Sequence, residues 1–214
     1  MNTNPAGSPQ HHTAGGPGPY APPGQHAQPG PYAGPHTPYA PQPAATAERG
    51  KAATALLLVS TVFMGLMAGL FFAFDVSVMP GLAAGDERTY VTAMQNFNAA
   101  IDGNGLFGMV FVITLLTSAA SAVIEFRKGR RNVAVWVAVA TVAYFVVLMI
   151  TFSVNIPLNN ELADAGDAAK LADFAIVDKF KGTWVATNIV RTLLCTLGLA
   201  ALARALVLYG RATR

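Results

Sequence analysis

Charge is what this chain has least of. Only 12% of its 214 residues are Asp, Glu, Lys or Arg, against ~25% in typical soluble domains, which argues against a soluble globule. Cysteine is nearly missing. Cys195 stands alone, so no intramolecular disulfide can form and the redox compartment is not indicated. Histidine stops early: His11, His12, His26 and His36 are the only four. Haem ligation, a di-iron site or a Ser-His-Asp arrangement therefore has no ligand set in the rest of the chain, and neither metal nor cofactor is expected. No basic patch is interleaved with aromatics, so the net charge of +3 does not read as a nucleic-acid footprint.

Aliphatic residues are almost absent from the first 50 positions. Residues 1–48 hold 12 of the 14 prolines and repeat Pro19-Tyr20-Ala21, Pro31-Tyr32-Ala33 and Pro38-Tyr39-Ala40 irregularly. Such a segment cannot bury enough apolar surface to offset its ordering entropy. Residues 1–50 are expected to be a disordered tail with polyproline II character, either inert or a tether for a partner. The first apolar run also begins too late for a cleaved signal peptide.

What is present is four long apolar runs, at 52–74, 105–124, 132–154 and about 184–210. Each is long enough to cross a bilayer, which takes ~20 residues. The sequence thus predicts an all-α, four-helix transmembrane bundle over 51–212, with helices at about 52–76, 104–126, 132–156 and 184–209. Arg49, Lys51, Arg127, Lys128, Arg130, Arg131, Arg204, Arg211 and Arg214 fall on one side; Arg88, Lys170, Lys179 and Lys181 fall on the other with most of the acids. The basic excess marks the cytoplasmic side, so a multi-pass cell-membrane protein with both termini inside is expected.

The two outer loops, roughly 80–103 and 160–182, each carry an apolar stripe at helical spacing. Tyr90, Met94, Phe97 and Ile101 form one; Leu171, Phe174, Val177 and Phe180 form the other. Both predict short amphipathic helices on the outer interface or capping the bundle. Gly65, Gly69 and Ala73 are spaced for a tight helix contact, preferentially inside the chain, alternatively at a homo-oligomer seam. Glu125 is read as an inner-interface partner of Arg127, and Arg204 as an interface anchor.

The polar residues that trespass on the apolar runs converge on the outer half. Asp75 ends the first run, and Asn98 and Asp102 precede the second. Asn155, Pro157, Asn159 and Asn160 end the third, while Trp184, Asn188 and Arg191 open the fourth. With Trp184 at the outer interface and Arg204 at the inner one, Arg191 lies roughly 10 Å inside the membrane at ~1.5 Å per residue. An unpaired arginine there costs at least ~2.5 kcal/mol, so it should turn inward, with Asp75 its expected partner. Pro157 removes an amide donor and should kink or unwind the third helix, freeing carbonyls for Asn155 and Asn159. Cys195 is a small apolar packing residue.

Several of these stretches resemble one family. Gly-Leu-Met-Ala-Gly-Leu-Phe-Phe-Ala-Phe (65–74) leads into Val78-Met79-Pro80-Gly81-Leu82, followed by Ala93-Met94-Gln95-Asn96-Phe97-Asn98. With Asn155-Ile156-Pro157-Leu158-Asn159-Asn160 and Trp184…Asn188…Arg191, the chain is similar over about residues 52–210 to the anthrone oxygenase family. The resemblance implies a small membrane protein, in some cases oxidising an anthrone to an anthraquinone with O2 and no cofactor. Asp75 departs from it, standing where a small or neutral residue is expected.

That chemistry needs a base, a positive group for the developing oxyanion and an apolar slot. For that chemistry Asp75, although it departs from the family, is this chain's candidate to take the proton, and Arg191, with Asn155 and Asn159, is the candidate to hold the oxyanion. Phe71, Phe74 and Trp184 bound the slot, and Asn98 and Asn188 contribute to substrate binding. The rival reading is a non-catalytic membrane protein that binds a small molecule or lipid, or scaffolds a partner. A transporter is weaker, because one four-helix unit without an inverted repeat must oligomerise to form a path.

Overall fold

The computed structural model describes residues 44–213. The tail expected over 1–50 falls outside the described residues up to position 43, and from Ala44 the chain is already helical. Helix α1 runs Ala44–Ala73, makes one π turn at Phe74–Val78 and continues as Met79–Ala83. Helix α2 is Glu87–Asp102 and α3 is Gly105–Arg127. Helix α4 runs Arg131–Ile150, π-turns at Thr151–Asn155 and continues as Ile156–Asp164. After a single 3₁₀ turn at Ala168–Lys170, α5 starts as Ala175–Lys179, π-turns at Phe180–Trp184 and runs Val185–Ala212.

Helices α1, α3, α4 and α5 are long and apolar enough to cross a membrane. In hydrocarbon every backbone group must be satisfied within the segment, which such continuous helices do. Each spanning helix packs on the next in the chain, and α5 closes the ring against α1. Leu58, Leu116, Val142 and Leu193 point away from the bundle with about half or more of their surface exposed, the pattern of a lipid-facing belt. Inside, Leu57, Met64, Val137, Tyr144, Cys195 and Leu202 are fully buried. Cys195 packs there as an apolar residue.

The small-residue contact is intramolecular and lies between α1 and α5. Gly198 sits so close to Met64 that a Cβ would fall 3.0 Å from its thioether, and Gly65 faces Leu199. Gly69 meets nothing within 4 Å, so that half of the expected motif makes no contact in the chain.

Three of the spanning helices are longer than the runs predict. Pro80 and Pro157 do not end them, because each proline falls in the first turn of the α segment after a π turn, where its missing N–H costs least. Pro157 therefore neither unwinds α4 nor breaks it. The extended ends of α1, α4 and α5 project past the bundle, and α2 lies among them. Met79, Tyr90, Met94, Leu158, Leu162 and Phe180 form a second core there, separate from that of the bundle.

Helix α2 starts at Asp86, whose carboxylate accepts from the Thr89 amide and hydroxyl. Gln95 ties α2 to the end of α4, donating to the Leu162 and Gly166 carbonyls at 2.8 and 2.9 Å. The stripe expected over 171–180 is half realised. Leu171 and Phe174 precede the helix, and only Val177 and Phe180 lie on it.

At the other, basic end Glu125 is fully buried and pairs with Arg130, not Arg127. The turn explains the choice. Gly129 takes φ 74°, folding Arg130 back over the end of α3. The Arg130 guanidinium also lies 4.9 Å from the Tyr209 ring centre, linking this turn to α5.

Candidate active site

All three π turns among the described residues lie at the capped end. A π turn adds one residue to a helix, so side chains beyond it are rotated by ~100° against the α register. The turns in α1 and α4 stand in the same relation to a proline, which is the second residue after each: Pro80 after Val78, Pro157 after Asn155. The third contains Gly182 and no proline. Phe74 and Asp75, Thr151, Phe152 and Asn155, and Trp184 all sit within these turns. Such turns recur at functional sites because they re-aim side chains without breaking the helix.

Between the cap and the bundle lies a cavity of about 360 Å³. This is in the ~300–1,000 Å³ range of small-molecule sites. Its walls are aromatic and aliphatic, with Phe71, Phe74, Phe107, Phe111 and Trp184 contributing from three helices. Arg191, Asn188, Thr151 and Asn155 are buried and form its floor; Asn98 and Asp102 of α2 stand at the mouth. The cavity also reaches the bundle surface along the α3–α4 seam. Val112 and Phe152 line it and yet are 54% and 56% exposed.

Arg191 is buried, with 5% of its surface exposed, so it does not snorkel. Its guanidinium donates to Asn188 Oδ1 at 2.7 Å and to Thr151 Oγ1 at 3.3 Å. It also lies 4.5 Å from the Phe71 ring centre and 5.4 Å from that of Trp184, contacts that stabilise a desolvated cation.

The expected direct pairing with Asp75 is absent: no ion pair joins them among the described residues. Asn188 stands between the two. Its amide donates to Asp75 Oδ1 at 2.5 Å and to the Phe71 carbonyl at 2.9 Å. Thr192 donates to the second carboxylate oxygen at 2.5 Å. Both Asp75 oxygens are thus engaged on α5, and Asp75 does not line the cavity.

The asparagines divide their work. Asn159 accepts from the Trp184 indole at 2.9 Å, so Trp184 is a buried, anchored wall of the cavity. Asn155 donates to Thr187 Oγ1 at 3.0 Å. The one Thr187 hydroxyl proton is committed to the carbonyls of Thr183 and Trp184, so Thr187 must accept from Asn155. That fixes the Asn155 amide and leaves its Oδ1 buried without a partner. Asn98 Nδ2 and Arg191 Nε are likewise buried and unpartnered. All three belong to residues lining the cavity.

Every expected site residue except Asp75 therefore lines one cavity. The sequence reading overlooked Thr151, Thr187 and Thr192, which hold Arg191, Asn155 and Asp75. One signal was available: Thr151 and Thr192 each lie one helical turn from an asparagine, at Asn155 and Asn188.

Among the described residues, four helices of membrane length surround a cavity with apolar walls and a cationic floor, the architecture of a small multi-pass membrane protein. The anthrone oxygenase family model matches residues 97–201, from the last turns of α2 to the middle of α5. Over that stretch the chain resembles the anthrone oxygenase family; the motifs at 65–74 and 78–82 lie outside the match. The matched segment carries Asn98, Asn155, Asn159, Trp184, Asn188 and Arg191; Phe71, Phe74 and Asp75 precede it. Comparison with curated proteins and with solved structures finds no match.

Proposed function

We propose that this protein is a membrane-embedded oxygenase that oxidises an apolar polycyclic phenolic ketone with O2, without a bound cofactor. The observation that carries this reading is the set of unpartnered atoms around the cavity. Each buried, unmade hydrogen bond costs ~1–3 kcal/mol, so three of them on residues lining one cavity ask for a ligand. Arg191 Nε and Asn98 Nδ2 need acceptors, and Asn155 Oδ1 needs a donor. A flat aromatic ketone bearing a hydroxyl supplies both and fills the space between Phe71, Phe74 and Trp184.

Arg191 then has a chemical task. Loss of a proton from a methylene conjugated to a ketone places negative charge on the ketone oxygen. A cation held over two rings and hydrogen-bonded to Asn188 is preorganised to meet that charge as it develops. Asp75 and Thr192 act behind the site, holding Asn188 with its oxygen toward Arg191. No metal is required for an electron-rich carbanion to react with O2.

The site end of the bundle faces outward and both termini are cytoplasmic, as the basic residues at the 127–131 turn indicate. Labelling a Gly129→Cys variant with a membrane-impermeant maleimide tests this; modification from outside intact cells overturns it.

A second reading, non-catalytic capture of a lipid or other apolar molecule, is favoured by the opening along the α3–α4 seam. The two are separated by following O2 uptake and quinone absorbance with anthrone and full-length protein in lipid nanodiscs. Wild-type turnover well above that of Arg191→Ala and Asn155→Ala supports the oxygenase. Equal rates in all three overturn it.

A further inference from the structure

We infer that Asp102, at the mouth of the cavity, is the catalytic base, and that Asp75 serves only to hold the floor. This inference rests on the oxygenase reading above. Two observations carry it. Asp75 has both oxygens occupied by Asn188 and Thr192 and does not line the cavity. Asp102 and Arg191 are the only charged residues that do, and no hydrogen bond or ion pair engages the Asp102 carboxylate among the described residues. Asn98 lies one turn before it on α2 and lines the same mouth.

The placement suits the chemistry. Arg191 is at the buried floor, Asp102 at the exposed rim. In an anthrone the carbonyl and the acidic methylene sit on opposite edges of the central ring. A molecule seated with its oxygen toward Arg191 therefore turns its methylene toward the mouth. The two charged groups of the cavity stand at the two reacting ends, and the aromatic walls hold the rings between them.

The steps balance with O2 as oxidant. The Asp102 carboxylate removes one methylene proton, and the resulting carbanion is stabilised by Arg191 through the ketone oxygen. The carbanion carbon bonds to one oxygen of O2, and Asp102 returns its proton to the terminal oxygen, giving a hydroperoxide. Asp102 then removes the second hydrogen of that carbon while the O–O bond breaks. A new C=O forms, and the departing hydroxide takes the proton to leave as water. One methylene and one O2 give one carbonyl and one water.

The test uses full-length protein in nanodiscs with anthrone, following quinone formation across pH. Asp102→Asn should lower kcat ~10²-fold or more, as expected for loss of a general base. It should also abolish the acidic limb of the kcat profile and leave the thermal unfolding temperature unchanged. Asp102→Glu should restore part of the rate, and Asp75→Asn should lower stability while keeping the acidic limb. Methylene-deuterated anthrone should show a larger isotope effect in Asp102→Asn than in wild type. Active wild type with an Asp102→Asn variant of equal rate and intact acidic limb overturns the assignment alone. Wild type that turns over no anthrone overturns it together with the oxygenase reading.

Discussion

Asn188 donates to Asp75 and accepts from Arg191, so one neutral amide joins the two charges that a direct ion pair was expected to join. In a low-dielectric interior this arrangement leaves Arg191 cationic and its Nε free for a ligand, where a bidentate carboxylate would have consumed it. The bridge is the device that keeps a buried arginine both paired and available.

Coupling between the charges should therefore run through Asn188. In the parent protein, Asp75→Asn and Arg191→Met should be non-additive in thermal stability by ~1–3 kcal/mol. In an Asn188→Leu background the same cycle should become additive within ~0.5 kcal/mol. Unchanged coupling there would show that the charges interact through space.

Deleting Ser153, an exposed residue of the second π turn, should convert that turn to plain α-helix. The bundle should survive, with its helical circular dichroism intact. Thr151 and Asn155 would lose their common aim, so affinity for an anthrone ketone should fall by tenfold or more. Retained binding would mean that the π turn has no part in presenting the site.

Gly108 lines the cavity at the α3–α4 seam, and a Cβ there would meet nothing within 4 Å. Gly108→Trp should fold normally yet narrow the opening among apolar residues that face lipid. The expected result is lower kcat/KM for anthrone dissolved in the bilayer, with kcat at saturation largely kept. Unaltered kcat/KM would direct attention to the Asp102 mouth as the entry.

Gln95→Ala removes two hydrogen bonds that tie α2 to the end of α4. A loss of ~1–2 kcal/mol and faster amide exchange over residues 160–168 are expected, with the bundle core unaffected. Exchange that accelerates equally in all helices would instead show that cap and bundle unfold as one unit.

Asp86 titrates low, because the Thr89 amide and hydroxyl hydrogen-bond its carboxylate. A depressed carboxylate contributes stability above its unfolded value, here 3.8, and loses it as pH falls through the folded one. Amide protection at the start of α2, taken relative to intrinsic exchange at each pH, should therefore fall below about pH 4 and not near neutrality. Asp86→Ala should show the lowered protection at every pH.

The sequence by itself determined the four spanning helices and the depth at which their polar residues gather. Both follow from one-dimensional facts: run length against bilayer thickness, and the cost of burying charge. It also picked out the polar residues that line the cavity, because an asparagine or arginine in an apolar run has few innocent reasons to be there. What it left open turned on register and partner choice. The π turns rotate Asn155 and Trp184 without any change of composition, and Pro80 and Pro157 read as breakers until the turn before each is seen. Asp75 and Asp102 looked alike as carboxylates near helix ends. Only packing decides that one is bound on both oxygens behind the floor and the other stands free at the rim. A hydrogen bond is a matter of a few tenths of an ångström and an angle, and those are set by how the helices pack together, not by their spacing along the chain.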